Sequence, residues 1–434
     1  MRGFSGKLAI AAMAAAGVFA SAPLAHADSL HESLKSLVQN HKQIKAAEAD
    51  LEAAQERAKA AWGDWYPTLD VSGTYGREKR NKASGTADVE EVPRQLSLTV
   101  TQQLWDFGSS NAAIRSAKLS VDRSRQNLIA TRQALVLQGI EAYLNVIRAK
   151  KVLGFAKGSV DNIRRQAELE DARVQRGSGF TTDVLQAKTQ LAGAEARRNN
   201  FAGDFRNALN AYRRFYNKDP GKVEDMKEPR VPFEMLPKTL DELIRIMHEN
   251  NPGLRLSKLD ADIQQETVLQ TRADEFFPTL DAIAETKRNQ DFAGTLRNET
   301  EQIFKLELNY SLNLGLTERN TLEASKKDHT AATERYIDAR DSFEQQVRDL
   351  WSNFERDQQN AEFLKNQANI AAEFLELARR ERQLGNRSLI DVLAGETSLI
   401  NANSDATATE TDVMLDVFRI INIMGKLEAD IVGK

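Results

Sequence analysis

The chain contains the same sequence unit twice, and this duplication limits its fold more than any other feature. Three pairs of segments match in the same order: residues 29–34 with 239–244, residues 65–70 with 276–281, and residues 177–185 with 385–393. The members of each pair lie about 210 residues apart, so one register holds along most of the 434 residues. Chance similarity between helical sequences is the alternative, and three matches in one register argue against it.

Residues 1–27 have the features of a secretory signal peptide. Arg2 and Lys7 make the start positive, residues 8–20 are apolar, and residues 25–27 (Ala-His-Ala) form a small-x-small cleavage site. The alternative is an N-terminal membrane anchor, but the apolar stretch is shorter than the roughly 20 residues of a membrane-spanning helix. No later stretch approaches that length, so we expect an exported protein without a helical anchor.

The remaining chain divides into a first unit at residues 28–217, a linker at 218–237 and a second unit at 238–434. The linker holds four of the nine prolines, which predicts an irregular segment. Within each unit the order predicted is helix, strand, loop, strand, long helix, turn, helix. The first helix is expected from Leu30 to about Trp65, before Pro67.

Four segments alternate between apolar and polar residues, as strands with one apolar face do. Their apolar positions are Leu69, Val71, Gly73 and Tyr75, then Leu96, Leu98, Val100 and Leu104, then Leu280, Ala282 and Ala284, and finally Phe304, Leu306, Leu308, Tyr310, Leu312 and Leu314. Each strand is about as long as the ten residues that a tilted membrane strand requires.

Long helices follow the second strand of each unit. Nothing breaks the helix between Gly108 and Gly177 or between Gly315 and Gly385. A seven-residue spacing runs through both, which is typical of helices packed lengthwise on other helices. Its members are Ile114, Val121, Leu128, Leu135, Ala142, Ala149 and Ala156, and then Leu322, His329, Tyr336, Phe343 and Leu350.

Four amphipathic strands need an apolar surrounding on one face. In a soluble protein helices would cover that face, but these helices are too long and too polar to do so. A membrane β-barrel uses the pattern directly, and the smallest such barrels have about eight strands. Because four strands cannot close a barrel, the pattern predicts that several chains share one.

Aromatic residues gather where helices and strands meet. At one end of a strand pair they would form a membrane-interface girdle, and the alternative is that they are core aromatics. The predicted interface residues are Trp62, Trp65, Tyr66, Trp105, Phe276 and Phe277.

Composition excludes several other functions. The chain has no cysteine, which removes disulfides, thiolate chemistry and a cysteine-linked lipid. Its net charge of −4 argues against a general nucleic-acid binder. The five histidines are scattered, and phosphate-binding loops, nucleophile elbows and zinc motifs are missing from the sequence. We therefore predict no enzyme activity, no catalytic residues, no metal site and no cofactor.

Several motifs together resemble the TolC family of outer-membrane efflux and secretion proteins. They are residues 66–69 (Tyr-Pro-Thr-Leu), 277–280 (Phe-Pro-Thr-Leu), 104–108 (Leu-Trp-Asp-Phe-Gly), and the turns at 177–185 and 385–393. The resemblance implies a mainly α protein with membrane β structure: a homotrimer with a 12-stranded barrel and an α-helical tunnel through the periplasm. It also implies a Gram-negative outer membrane, and as partners a periplasmic adaptor and an inner-membrane ABC or proton-driven transporter.

The resemblance further implies that the helix-pair turns form the periplasmic tip, where the pore closes and the adaptor docks. By position, the constriction would involve Asp183, Asp391, Arg387 and Arg382, and the docking turns Gly177, Gly179, Gly385 and Asn386. Arg382 stands where the family often has tyrosine, and Ala394 where a second acid often follows, so the closing network is expected to be wired differently. The alternatives are that both aspartates are helix N-caps and that Arg387 is a solvated turn residue.

The function implied is a passive exit duct for type I protein secretion, small-molecule efflux or both. A periplasmic adaptor or a coiled-coil scaffold is the alternative, but an adaptor would lack the duplicated strand pairs and a scaffold would leave them unexplained. The sequence does not distinguish among transported substrates.

Overall fold

The computed structural model describes residues 30–80, 89–292 and 295–432. The predicted signal peptide lies outside the described residues. Each unit has an antiparallel strand pair and two long helices in the predicted order, and two short helices stand before the strand pair where one helix was predicted. In chain order the elements are α1 (Leu30–Asn40), α2 (Lys42–Ala60), β1 (Thr68–Tyr75), β2 (Glu78–Arg80), β3 (Val89–Glu91), β4 (Arg94–Trp105), α3 (Ser109–Gln175), α4 (Thr181–Tyr216), α5 (Leu240–Asn250), α6 (Pro252–Phe276), β5 (Thr279–Phe292), β6 (Thr295–Asn309), α7 (Thr317–Gln383) and α8 (Leu389–Ile423).

The first helix of each unit is broken in two. The expectation of one helix from Leu30 to about Trp65 was wrong, because His41 has an extended backbone and its ring Nδ1 accepts the N–H of Gln43 at 3.3 Å. In the second unit Asn251 starts α6 in the same way, and Pro252 follows it. A proline marks only the second break, so the first gave no strong sequence signal.

The helices α3 and α7 dominate the dimensions of the molecule. Each has 67 residues and therefore extends for about 100 Å. The seven-residue positions Leu128, Leu135 and Ala156 of α3 are buried. Within the described residues, no helix combines the length and the apolar character needed to cross a membrane.

The main hydrophobic core lies midway along the long helices. There α1 packs against α3 and α5 packs against α7, and the core also contains residues of the C-terminal part of α8. Leu34, Ile140, Leu243, Met247 and Phe418 are all fully buried in it. This core ties the two units together far from the helical turns.

The strands form one antiparallel sheet in the order β1-β4-β5-β6, and β2 and β3 form a separate small hairpin. Pairing of β4 with β5 joins the two units, and β1 and β6 are the sheet edges. The predicted last strand ran to Leu314, but β6 ends at Asn309. The chain turns there because the Asn313 side chain accepts the N–H of Gly315 at 2.8 Å and its carbonyl accepts that of Leu316 at 3.0 Å.

On the inner strand β4 the polar side chains are less exposed than the apolar ones. Ser97 is only 8% exposed, whereas its neighbours Leu96 and Leu98 are 49% and 41% exposed. A soluble sheet shows the opposite pattern. We call the side that carries Leu96 the apolar face and the other side the polar face. The apolar face includes Leu69, Val71, Leu96, Leu98, Val100, Phe304, Leu306 and Leu308.

A β-bulge shifts the end of β4 by one residue. It places Trp105 opposite Leu280 on the apolar face, where the alternation had predicted Leu104. Just beyond, the Asp106 carboxylate accepts the N–H groups of Gly108 at 2.9 Å and Ser110 at 2.6 Å, which starts α3. The shared motif at residues 104–108 therefore turns a strand into a helix.

Candidate functional site

The helical hairpins α3–α4 and α7–α8 end in turns of the same geometry. Gly177 and Gly385 have φ values of +75° and +82°, a region that favours glycine. After Gly385, the N–H of Asn386 donates to the Glu381 carbonyl at 2.9 Å, and the first hairpin has the equivalent bond. This motif closes the end of a helix. It brings the start of α4 beside the end of α3, and the start of α8 beside the end of α7.

Gly179 is needed for close packing. A Cβ at this position would lie 3.0 Å from the Arg173 Cβ and 3.0 Å from the backbone nitrogen of Val174. Phe180 follows and is 75% exposed. The first turn thus folds tightly onto its own helix and presents an apolar side chain at its surface.

Asp183 and Asp391 are each the third residue of a helix, so the idea that they are N-caps was wrong. The cap of α8 is Ser388, whose Oγ accepts the N–H of Asp391 at 3.3 Å. Phe180 precedes α4 and gives no side-chain cap. The two carboxylates therefore remain available for other contacts, close to the positive ends of their helices.

Arg382 joins the two hairpins. Its guanidinium donates to the Glu170 carboxylate of α3 at 3.0 Å and to the Asp183 carboxylate of α4 at 3.2 Å. It also donates to the carbonyl of Arg387 at 3.3 Å. One side chain of α7 therefore contacts both helices of the first hairpin and the turn of its own hairpin.

Glu170 is the buried member of this group. Its side chain is only 2% exposed and receives a second hydrogen bond from Arg173 at 2.9 Å. A buried carboxylate is costly unless cations and hydrogen bonds compensate it. Glu170 therefore depends on Arg382. Sequence reasoning missed Glu170, although it lies seven residues after the buried Ile163, where an acid is unexpected in a packed helix.

Arg387 stabilises its own turn. Its Nε donates to Glu381 at 2.6 Å, and its NH1 lies 3.8 Å from Asp391. The guanidinium carbon is 5.4 Å from the centre of the Phe374 ring, a cation–π distance. The alternative that Arg387 is merely solvated was therefore wrong, yet within the chain it does not reach the first hairpin.

A further ion pair lies next to the turns, on the side towards the middle of the helices. Arg379 pairs with Glu396, which is 2% exposed and also accepts a hydrogen bond from Asn162 of α3 at 3.4 Å. At the equivalent place in the first hairpin, Lys188 and Asp171 are 3.5 Å apart and partly exposed. The two repeats thus carry the same pair with reversed signs, and the second pair is buried against α3.

The predicted interface aromatics gather at the helix–strand junction. Tyr66 and Trp105 are 67% and 56% exposed, and Phe107 stacks on Phe277 with ring centres 4.9 Å apart. The remaining aromatics of the set are Trp62, Trp65 and Phe276, of which Trp62 and Phe276 are exposed. Their contact with a membrane interface remains a prediction.

The site is therefore electrostatic. Across residues 30–80, 89–292 and 295–432, no group of three or more histidine or acidic side chains is placed to hold a metal ion. What the turns offer is a network in which Arg173 and Arg382 bind the acids Glu170 and Asp183 and link separate helices, beside exposed apolar residues.

Comparison with known proteins identifies relatives along both units. A family model described as "Outer membrane efflux protein" matches residues 33–217 and 243–426. The outer membrane efflux protein BepC of Brucella suis is 22% identical over 98% of this chain and 92% of its own length. The outer membrane protein TolC of Escherichia coli is 23% identical over 93% of this chain and 83% of its own length.

Solved structures agree with the sequence comparison. The CmeC outer membrane channel of Campylobacter jejuni superposes with a TM-score of 0.81 at 15% identity. The alignment covers 92% of this chain and 86% of CmeC. At this identity the likeness establishes the fold.

Proposed function

Because the chain belongs to the outer membrane efflux protein family, we propose that three copies form an outer-membrane exit duct that extends into the periplasm. Members of this family are channel proteins, not enzymes. The observation that carries the proposal is the apolar face of the sheet, which is open to the surroundings. Phe304, Leu306 and Leu308 are 83%, 70% and 65% exposed on it. Lipid is the medium that such a face fits.

The sheet edges support an assembly of several copies. In lipid, the backbone groups of β1 and β6 must find partners, and a closed barrel provides them. Pairing of β1 in one copy with β6 in the next would close a ring. Three copies of four strands give a barrel of about twelve, above the minimum of about eight.

The long hairpins would form the periplasmic tunnel. Helices of about 100 Å lead away from the end of the sheet that carries Trp105. The turns then lie at the far end, where three copies of Asp183 and Asp391 would line a narrow, negatively charged opening. Rings of carboxylates favour cations.

The same turns would meet the partners. We assign adaptor docking to the turns around Gly177, Gly179, Gly385 and Asn386, whose exposed neighbours Phe180 and Leu384 offer apolar contacts. A periplasmic adaptor would bring an inner-membrane ABC or proton-driven transporter, which would supply the energy. Small-molecule efflux and type I protein secretion would use the same duct. A separate adaptor or scaffold role does not explain the apolar face.

Mass and conductance test the proposal together. Protein extracted from outer membranes in mild detergent should have the mass of a trimer, and the trimer should conduct ions in planar bilayers with a preference for cations. The double variant Asp183→Asn/Asp391→Asn should lose most of that preference. Glu376→Gln is the control, because Glu376 is an exposed acid near the turns whose ion pair among the described residues is with Arg380 of its own helix. A monomer, or equal selectivity in all three proteins, would refute the assignment.

A further inference from the structure

Charged residues are distributed unequally between the two faces of the sheet. Among the paired residues of β1, β4, β5 and β6, the polar face carries six acids and two lysines. These residues are Asp70, Asp281, Glu285, Lys287, Glu299, Glu301, Lys305 and Glu307. The apolar face carries two charged residues, and both are arginines: Arg94 of β4 and Arg288 of β5. The apolar face therefore has a positive spot without acids.

The two arginines are close neighbours. Arg94 lies opposite Gln290, and Arg288 lies opposite Leu96, so the arginines are diagonal partners across one strand pair. Diagonal positions are about 7–8 Å apart in an antiparallel sheet. Two guanidinium groups at this spacing repel each other unless an anion lies between them.

Protein acids do not fill that role in the part of the chain that the structure describes. Both arginines are exposed, and neither makes an ion pair with a described residue. The contact of Arg94 is with the Tyr75 ring, whose centre is 5.5 Å from the guanidinium carbon. In contrast, Lys287 and Lys305 of the polar face are paired with Glu285 and Glu307. Among the paired residues of β1, β4, β5 and β6, the cations without an ion pair thus lie on the apolar face.

The position of the two arginines along the strands indicates which part of the membrane they would face. They lie at the end of the strands away from the helices, with Arg288 level with Leu96 and Arg94 two residues further from the helices. Their neighbours at this level are neutral and polar: Gln290, Asn298 and Thr300. Apolar residues give way to polar ones here, which is where lipid headgroups meet a membrane protein. Since the helices extend into the periplasm, this end faces the outer leaflet.

We propose that Arg94 and Arg288 together bind the phosphate group of an outer-leaflet lipid whose acyl chains lie along the apolar face. The inference rests on the outer-membrane location and goes beyond the duct itself. Guanidinium groups bind phosphate through paired, charge-assisted hydrogen bonds. Next to lipid these bonds are poorly screened, and the tyrosine ring under Arg94 holds that side chain at the interface.

Lipid retention on the trimer tests the site. The probe is bis-phosphorylated lipid A, added to the delipidated full-length trimer in detergent and measured by native mass spectrometry. The dephosphorylated form is the comparison lipid. We expect the wild type to retain the phosphorylated form at least about tenfold better, and Arg94→Gln/Arg288→Gln to lose that advantage. Millimolar inorganic phosphate should not displace the lipid, because it lacks the acyl chains.

A charge-matched control separates the site from general electrostatics. Lys287→Gln/Lys305→Gln removes two positive charges from the polar face of the same sheet and should retain lipid as the wild type does. Equal loss in both double variants would refute the site, as would equal retention of dephosphorylated lipid or displacement by free phosphate. Trimer mass and channel conductance should be unchanged in Arg94→Gln/Arg288→Gln. If Arg94→Gln/Arg288→Gln conducts normally but no longer retains the lipid, the result supports the lipid site. If the wild type does not conduct ions, the result contradicts the proposed duct and leaves the lipid site to be decided by the retention measurement.

Discussion

Replacing Arg382 with glutamine should loosen the contact between the two hairpins. The variant removes the charge that faces Glu170 and Asp183, and Glu170 would keep only Arg173. Removing one partner of a buried ion pair costs about 3–5 kcal/mol. Arg382 is 19% exposed and Glu170 keeps one cation, so we expect a smaller loss of about 2 kcal/mol.

That loss translates into channel opening if the contact exists only in the closed state. A change of about 2 kcal/mol shifts a two-state equilibrium roughly 30-fold. A channel that is open for about 1% of the time would then be open for roughly a quarter of it. Single-channel recordings of the purified trimer in planar bilayers measure this fraction directly.

Two further variants make the test of Arg382 specific. Arg380→Gln removes a charge from the same helix, but Arg380 is 67% exposed and pairs with Glu376 one turn away, so the open fraction should stay at the wild-type value. The effect of Arg382→Gln combined with Asp183→Asn on the free energy of opening should be smaller than the sum of the two single effects, because both substitutions remove the same Arg382–Asp183 contact. If Arg382→Gln opens the channel no more than Arg380→Gln does, the reasoning fails.

Two predictions concern stability. Gly425→Ala should destabilise the fold by about 3 kcal/mol in chemical denaturation, because φ is +70° and the Cβ would clash with the backbone of Asn250. Gly385→Ala, which has a similar φ but open space around its Cβ, should cost about 1 kcal/mol. Equal costs for the two variants would contradict the close contact at Gly425. Burial raises the pKa of the Asp416 carboxyl, and the nearby Asp357 carboxylate adds to the rise. This carboxyl therefore stabilises the fold less as the pH rises through its folded-state pKa. Asp416→Asn should raise the melting temperature at pH 8 and lose that advantage under acidic conditions. A gain in melting temperature that is the same at every pH would contradict the raised pKa of Asp416.

The architecture could be predicted from the sequence because its signals are repeated and periodic. The matched segments, the alternation at Leu96 and Leu98 and the seven-residue spacing of α3 each depend on local residue order. The family match confirms the resemblance. Two element boundaries and one face assignment were wrong for local reasons. At His41 the helix breaks without proline, at Asn309 the last strand ends early, and at Trp105 a bulge changes which residue lies on the apolar face.

The contacts at the turns could be predicted only in part. The family resemblance gave Asp183 and Arg382 as residues of the constriction, but Glu170, the acid that shares Arg382 with Asp183, is 212 residues from Arg382 in sequence. Only the folded pairing of the two units brings them together. The buried pair of Arg379 and Glu396 was missed for the same reason, since it faces a helix of the other unit.

The distribution of apolar burial indicates where the helices of the proposed duct can separate. Midway along the helices, large side chains such as Phe418 and Ile420 are fully buried, and moving them apart would expose much apolar area. Near the turns the apolar clusters are small, as with Leu375, Ala378 and Val392, and ion pairs supply the rest of the contact. When the hairpins move apart, the carboxylates of these ion pairs can accept hydrogen bonds from water or from a bound protein, which offsets part of the cost of losing the arginines. We therefore expect variants at the turns to change conductance while the melting temperature, which depends on the core, changes little.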